Sequence, residues 1–374
     1  MPQLDIQTFS LHPRGGEQVE QENCENVRRN ALEALRPYLP VSLPLYRRLQ
    51  FGRFFEATSL LTNLDLRDDA AENDAEAKTN QKDGKINSNN PWLIAFVDRS
   101  CRPETEVWLY ASWESTPSDK APSCGAGGTE ETLIRNLITG LKAMPIPESI
   151  HQDILNAKAA RLEQDKDSTT DSAGLNRDDY AAHMLDPSIM LWGSTHERTL
   201  PLLQHLGVAG GEKFKAAAMP NLMFTWDVDT MRPQKDLPAE LRWGELNPDN
   251  FALVRSRTQI PRQDRTLAVL PNLGIFPAEK DESSAKPVAW VFVGLDGSLT
   301  TLHVEPEWRG HGLAKAITTK LFREKMGMFW EDGLTKSAHG YVIRGNKESE
   351  GMCRSLKGWA DWDVYWVRVD LDAV

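Results

Sequence analysis

Cysteine and histidine are scarce in this chain of 374 residues, which contains four cysteines and eight histidines. The cysteines form no Cys-x-x-Cys pair, so they indicate neither a zinc site nor a disulfide framework; they are Cys24, Cys101, Cys124 and Cys353. The histidines are equally dispersed, and His196-Glu197 lacks the second histidine of a zinc-binding helix. We therefore expect no metal in this protein.

Basic surface and long apolar runs are also lacking. The formal net charge is −11 at pH 7, and nonspecific nucleic-acid binding needs cations that displace counterions. No stretch approaches the roughly 18 apolar residues of a membrane-spanning helix, and residues 1–20 contain no continuous apolar run typical of a signal peptide. We expect a cytoplasmic protein without nucleic-acid or membrane partners, and the oligomeric state stays open.

Length and the distribution of polar residues indicate two α/β domains. Pro233–Pro238 is the expected linker, so the domains comprise residues 1–235 and 236–374. Three polar stretches of the first domain are expected as surface loops, near residues 65–90, 115–128 and 164–176.

Apolar patterning predicts the secondary structure of both domains. In the first domain, His183–Leu206 is predicted as helical pieces broken by Pro187 and Pro201. The other predicted elements there are the helices Val27–Leu35 and Leu133–Leu141, the hairpin Trp92–Val97 with Val107–Trp113, and the strand Leu222–Val228. In the second domain, Asp296-Gly297 is a two-residue turn signal between two apolar strands. The predicted strands are Leu241–Leu246, Val288–Gly294, Leu299–Val304, His339–Arg344 and Tyr365–Leu371, with helices following Asn247, Gly312 and Asn346.

The most informative segment is the strand that turns into a helix through Arg309-Gly310-His311-Gly312-Leu313-Ala314. The first amides of a helix lack intrahelical partners, and the helix dipole adds partial positive charge there. The small residues Gly310, Gly312 and Ala314 allow an anion to approach the backbone closely. The junction therefore predicts a pyrophosphate site with Arg309 as a cation at its mouth.

Three nucleotide-binding motifs compete for this junction. A P-loop fails because Lys315 is followed by Ala316 instead of Ser or Thr. A dinucleotide fingerprint needs Gly-x-Gly-x-x-Gly, whereas the third small residue here follows Gly312 by only two positions. The third motif fits: Arg309-x-x-Gly312-x-Ala314, preceded by Leu302-x-Val304-x-Pro306, resembles the loop of the GNAT superfamily of acyl-CoA N-acyltransferases.

The resemblance covers the chain from about residue 240 to the end. Ala289-Trp290, residues 302–306 and Trp362–Trp366 are similar to the FR47-like and glycine N-acyltransferase-like branch, in which an N-terminal half precedes the acyl-CoA domain. It implies a GNAT fold, a mixed sheet flanked by helices, after a degenerate GNAT-like N-terminal half. Residues 1–235 hold no Arg-x-x-Gly-x-Gly/Ala loop, so we expect that half to bind no CoA but to supply part of the acceptor wall.

The resemblance also implies where the acyl donor binds. The pantetheine arm would pair with exposed backbone of the strand 299–304, which parts from the strand 339–344 to open a slot for the thioester. The amides of residues 310–314 would hold the pyrophosphate. The implied CoA contacts are Leu302, His303, Val304, Arg309, Gly310, His311, Gly312, Leu313, Ala314, Asn346 and Ser349.

The catalytic residues depart from the family pattern. Ser298 stands where many relatives have a glutamate as the general base, which leaves Asp296, His303 or a water held by Ser298 as alternatives. The simpler explanation, which we favour, makes Asp296 a turn residue beside Gly297 and His303 a strand residue whose ring packs or hydrogen-bonds. Cys353 stands where the family has the tyrosine that protonates the departing thiolate, although a buried cysteine is usually a small apolar side chain.

The expected activity is N-acylation of a primary amine by direct attack on an acyl-CoA, without a metal. Acetyl-CoA is the default donor, and the acceptor is a small-molecule or amino-acid amine. One alternative is a glycine-conjugase-like transferase with larger acyl-CoA donors. Another is a non-catalytic acyl-CoA-binding protein, which the missing glutamate and tyrosine would favour.

Overall fold

The computed structural model describes residues 4–13, 18–55, 57–67, 90–116, 127–148, 177–210, 218–258, 262–279 and 285–374. Most of the three stretches expected as polar loops lies outside these residues. The chain forms two compact units: the first comprises residues 1–49, 53–218 and 365–374, and the second residues 50–52 and 219–364. Among the described helices, none has the length and apolar character needed to cross a membrane.

The first unit contains a sheet in the order β1-β2-β3-β4-β5-β12. Its elements are β1 (Gln7–Ser10), α1 (Gln18–Leu35), α2 (Leu43–Phe51), β2 (Ser59–Thr62), β3 (Leu93–Val97), β4 (Val107–Ala111), α3 (Thr129–Ala143), α4 (Arg177–Leu185), β5 (Ile189–His196), α5 (Leu200–His205) and the last part of β12 (Asp363–Asp370).

The central strands of the first unit follow from apolar runs. Residues 93–97 and 107–111 are buried throughout and pair antiparallel, with Leu93 opposite Ala111 and Val97 opposite Val107, which confirms the predicted hairpin. Side chains of a strand alternate between faces, so this sheet is covered on both sides. One face packs against α3 and α5, and the other against α1 and α2.

The prediction of helical pieces over residues 183–206 was wrong in its middle. Residues 189–196 form β5, which runs parallel to β4 with Val107 opposite Trp192 and Trp108 opposite Gly193. Pro187 precedes this strand and Pro201 lies in the first turn of α5, so the prolines bound the strand instead of breaking a helix. The apolar run Ile189–Trp192 is a buried parallel strand, and such a run has no alternation by which to tell it from a helix.

The second unit contains strands in the order β6-β11-β10-β9-β8-β7, with Asp363 and Val364 of β12 paired to β6. Its elements are β6 (Asn221–Asp227), β7 (Leu241–Gly244), α6 (Pro248–Arg257), α7 (Asp264–Leu267), β8 (Asn272–Pro277), β9 (Ala289–Val293), β10 (Ser298–Val304), α8 (Leu313–Glu324), β11 (Ser337–Ile343) and α9 (Lys347–Ser355).

The bounds of the two units differ from the expected division at residue 235. The strand β6 pairs antiparallel with β11 along its whole length, from Asn221 opposite Ile343 to Asp227 opposite Ser337. These bonds join β6 to the second unit, which also contains the segment 233–238. The last residues, 365–374, belong to the first unit. Long-range strand pairing decides both assignments.

The sheet of the second unit has two differently covered faces. One face, with Leu299, Leu302 and Val304 of β10, packs against α8 and α9. On the other face, Trp290 and Phe292 of β9 pack against α6 and α7. Because side chains alternate along a strand, successive residues of β10 lie on opposite faces of the sheet. We call the face under α6 and α7 the α6 face.

Candidate active site

The strands β10 and β11 are paired for only a short distance. They run parallel, with Ser298 opposite His339 and Leu299 opposite Gly340. Beyond Leu299, β10 keeps only its antiparallel partner β9, and the register between them shifts between Thr300 and His303. Thr301 has a positive φ of 55°, so the extra residue of this bulge is at Thr301 or Leu302. Two parallel strands thus part directly beside a bulge.

The bulged strand leads through a 3₁₀ turn at Pro306–Trp308 into the exposed loop 309–312 and then into α8. Gly310 and Gly312 have positive φ values of 83° and 81°, a region that side chains with a Cβ disfavour. Apart from its chain neighbours, a Cβ on either glycine would meet no atom of the described residues within 4 Å. The backbone at the start of α8 therefore faces open space, as an anion-binding helix N-terminus requires.

The side chains of this loop leave the space above it uncovered. Arg309 donates through Nε to the carbonyl oxygen of Val304 at 3.1 Å, which anchors the guanidinium to the end of β10. The Nδ1 atom of His311 lies 3.2 Å from the carbonyl oxygen of Trp308. Leu313 turns into the core and Ala314 is half-buried. No acidic residue lies in the first turn of α8, so the charge there is positive.

A buried carboxylate lies where β10 and β11 are still paired. Asp296 is 3% exposed and accepts a hydrogen bond from the Ser298 hydroxyl at 2.7 Å on Oδ1. Its Oδ2 accepts from the Tyr341 hydroxyl at 2.9 Å and lies 3.5 Å from Nε2 of the fully buried His339. Of these residues only Tyr341 is half-exposed. The cluster is therefore a buried polar network in which Tyr341 is the one partly exposed residue.

Burial would raise the pKa of Asp296, but the adjacent imidazole of His339, together with hydrogen bonds from Ser298 and Tyr341, outweighs it. The pKa of Asp296 consequently lies below the usual value for aspartate. The carboxylate is ionised at neutral pH, which makes it an acceptor of hydrogen bonds and of protons.

His303 occupies a different part of the α6 face. Its ring stacks on Trp290 with centroids 4.6 Å apart, and its Nε2 lies 3.5 Å from Oε2 of Glu305. Burial lowers the pKa of His303; the charges of Arg309 and Arg257 act in the same direction, and Glu305 opposes them. The imidazole is neutral at physiological pH. A cavity of about 50 Å³ lies beside His303. It is lined by Val254, Arg257, Thr258, Trp290, Thr301, Leu302 and His303.

The structure does not bring Cys353 into this group. Cys353 is 1% exposed and belongs to the core under α8 and α9, and burial raises the pKa of its thiol to about 12. A thiol so shielded is a core side chain and a poor proton donor to a substrate. Asn346 caps α9 by accepting from the Ser349 amide at 3.1 Å, so both lie at the exposed start of that helix.

Three polar residues of the α6 face were missed from the sequence. His339 and Tyr341 lie two positions apart on β11, and this alternation was the available signal that they share a face. Arg262 precedes α7, and its Nη2 donates to Thr300 Oγ1 at 2.7 Å. An isolated arginine in a loop carries no such signal.

The fold and the site define a class, the GNAT superfamily of acyl-CoA N-acyltransferases, which confirms the resemblance. More particularly, the model of the acyl-CoA N-acyltransferase verG N-terminal domain matches residues 18–223, more than half of the chain. The chain therefore belongs to this family. The match covers the half in which the sequence displayed no motif. Comparison with curated proteins gave no match.

Solved structures resemble the chain over nearly its full length. A Drosophila protein superimposes with a TM-score of 0.53 at 13% identity, covering 97% of this chain and 98% of that one. A tandem GNAT protein from the clavulanic acid biosynthesis pathway covers 98% of this chain and 99% of its own at 10% identity, with a TM-score of 0.44. The likeness to the Drosophila protein concerns the fold alone. The expected α/β architecture is confirmed.

Proposed function

We propose that this protein transfers an acyl group from acyl-CoA to a primary amine in a ternary complex. The observation that carries the proposal is the parting of β10 and β11 beside a bulge, directly before a helix N-terminus that faces open space. Residues 310–314 hold the pyrophosphate and Arg309 adds a cation. Asn346 and Ser349, at the start of α9, contact the pantetheine arm. Acetyl-CoA is the first donor to test, followed by larger acyl groups.

The reaction needs polarisation of the thioester and movement of one proton. The C–N bond forms as the C–S bond breaks, the amine loses a proton, and the CoA thiolate gains one. Beyond Leu299 the backbone of β10 has no partner on β11, which supports amides near Leu302 and Val304 as donors to the thioester carbonyl. Donors already in place stabilise the developing oxyanion without reorganising.

Asp296 is the proton acceptor that the geometry favours. Tyr341, the one partly exposed residue of the network, donates its hydroxyl to Asp296, so we assign it the relay: a proton leaving the amine passes to the phenol oxygen while the phenol proton passes to Oδ2. Ser298 holds the other oxygen of the carboxylate. A carboxylate with a lowered pKa is a weak base, so the amine arrives uncharged or loses its proton after attack, when nitrogen is more acidic.

The test is release of free CoA thiol from acetyl-CoA and longer acyl-CoAs with a panel of primary amines. We expect amine-dependent release, matched by a product whose mass is that of the amine with one hydrogen replaced by the acyl group. CoA binding without release would instead identify a non-catalytic acyl-CoA-binding protein, which Ser298 and the buried Cys353 would then explain. Absence of both binding and release would remove the assignment of the loop.

A further inference from the structure

Arg262 differs from the other arginines of its segment. Arg255 is paired with Asp264, and Arg257 with Glu305 at 3.1 Å. The exposed Arg265 bonds to Gln263. Within the part of the chain that the structure describes, Arg262 contacts no carboxylate; it is half-buried, and only the hydroxyl of Thr300 accepts from it.

The guanidinium of Arg262 also retains hydrogen-bonding capacity. Its Nε is shielded from solvent and has no acceptor among the described residues, and Nη2 uses one of its two hydrogens on Thr300. A guanidinium presents five N–H donors in a planar fork, and a shielded donor without an acceptor is costly. A planar anion with two oxygens matches this fork best.

The position of Arg262 indicates which substrate would carry the anion. Thr300 is the first residue of β10 beyond the paired stretch, and it lies on the same face as Ser298 because side chains alternate. Asp296 and the Tyr341 hydroxyl lie on that face too. The bulge at Thr301 and Leu302, with its cavity, follows directly. An anion held by Arg262 is thus beside the parting strands.

We propose that Arg262 and Thr300 bind the carboxylate of the acceptor, and that the acceptor is an amino acid. This inference rests on the proposed N-acyltransferase activity. In an α- or β-amino acid the amine is only one or two carbon atoms from the carboxylate. A carboxylate at Arg262 therefore keeps the amine near the first unpaired residues of β10 and the Asp296 network. Arg257 does not compete for it, because Glu305 neutralises its charge.

The experiment compares acceptors that differ only in the carboxylate: glycine, glycinamide and methylamine, then β-alanine and ethylamine. We expect kcat/KM for the amino acid to exceed that for its amide and its amine by ten- to a hundredfold. The substitution Arg262→Gln should remove this preference by raising KM for the amino acid to the level of the amide. Arg262→Lys should retain part of the preference, since it keeps the charge without the fork. Arg265→Gln, an exposed neighbour, is the matched control and should change neither.

Equal use of amino acid and amide by the wild-type protein would overturn the proposal and leave the transferase activity standing. Loss of CoA affinity in Arg262→Gln, with acceptor selectivity unchanged, would assign the anion to a CoA phosphate instead. If no amine is acylated, calorimetry with glycine on the CoA-bound protein tests whether the carboxylate site exists. Heat of binding that Arg262→Gln abolishes and Arg265→Gln retains supports the carboxylate site, and absence of heat in the wild-type protein overturns it.

Discussion

The two units contain the same arrangement of a parallel strand pair, and each pair parts after two opposed residues. In the first unit the pair is β4 and β5, and in the second it is β10 and β11. Beyond the point where β4 and β5 part, side-chain hydrogen bonds connect the segments that follow these two strands. Trp113 donates to Thr199 Oγ1 at 3.1 Å, Thr199 donates to Glu114 at 2.5 Å, and Arg198 bonds to the carbonyl oxygen of Thr116. In the second unit, Arg309 instead bonds back to the carbonyl oxygen of Val304, at the end of its own strand β10.

The helices that follow β4 in the first unit and β10 in the second unit differ in charge. Glu130 and Glu131 lie in the first turn of α3, whereas the first turn of α8 has no acid and contains Lys315. Counted back from the residue that caps each helix, Gly125 stands where Arg309 stands in the second unit. Both helix dipoles favour an anion, but two carboxylates oppose one. A shared arrangement of strands and helix therefore leaves the local charge free to differ, and this charge disfavours an anion at α3 and favours one at α8.

The largest expected effect is loss of CoA binding in Gly312→Val. Gly312 has a φ of 81°, which a β-branched residue does not tolerate, and the new side chain would occupy the space above the helix N-terminus. Its counterpart Gly128 has a φ of −64°, so Gly128→Val should leave CoA affinity unchanged. Calorimetry should give one CoA per chain in the wild-type protein. Two CoA per chain, or equal losses in both variants, would contradict the comparison.

A second large effect should follow Asp296→Asn, because asparagine accepts the bond from Ser298 but cannot take up the proton. We expect kcat to fall roughly 10²- to 10⁴-fold with CoA affinity retained. Glu114→Gln, the matched change in the first unit, should leave turnover unchanged. Steady-state kinetics and a CoA titration of each variant provide the check.

The pH profile sharpens this prediction. The pKa values of Asp296 and His303 both lie below their usual values, so neither group changes charge near neutrality. The rate should therefore climb with pH toward the amine's own pKa, about 10. His303→Ala should leave the turnover number and its pH dependence nearly unchanged. A limb near neutral pH that His303→Ala removes would make His303 the base instead.

A smaller effect is expected for Arg309→Ala. Loss of one charge-assisted contact costs on the order of 1.5–3 kcal/mol, or roughly ten- to a hundredfold in CoA affinity. The loss should shrink at high salt, because Arg309 is exposed and screened. Calorimetry at low and high ionic strength measures the loss of CoA affinity and its dependence on salt. An unchanged affinity at low salt would show that the backbone alone holds the pyrophosphate.

The smallest effect concerns the stability of the first unit. Burial raises the pKa of Glu114 to about 8, so the folded state holds a proton there that the unfolded chain releases near pH 4 to 5. Stability should consequently fall as the pH rises from about 5 to 8. Glu114→Gln should make the thermal midpoint less dependent on pH, by a few degrees over this range. In a domain of this size, each kcal/mol of stability shifts the midpoint by about 2–4 °C. A slope that the substitution leaves intact would assign the decline to other groups.

Local chemistry allowed much of the second unit to be predicted. The turn at Asp296 and Gly297, the apolar strands on either side and the small residues of the loop 309–314 each act within a few neighbours, so their signals survive in one sequence. The buried run Ile189–Trp192 has no such alternation, and it was assigned to a helix. Cys353 has the spacing of the family tyrosine, but only the packed core shows that its thiol is shielded.

The sequence by itself determined the strand, the loop and the helix of the proposed anion site, because a positive φ, a free helix N-terminus and an adjacent arginine are local properties. Only the tertiary structure decided which strands pair across more than a hundred residues, as β6 does with β11. It also decided which polar groups meet: Asp296 with Tyr341, and Arg262 with Thr300. Such partners are brought together by chain folding over long separations, and no spacing in the sequence encodes the distance between them.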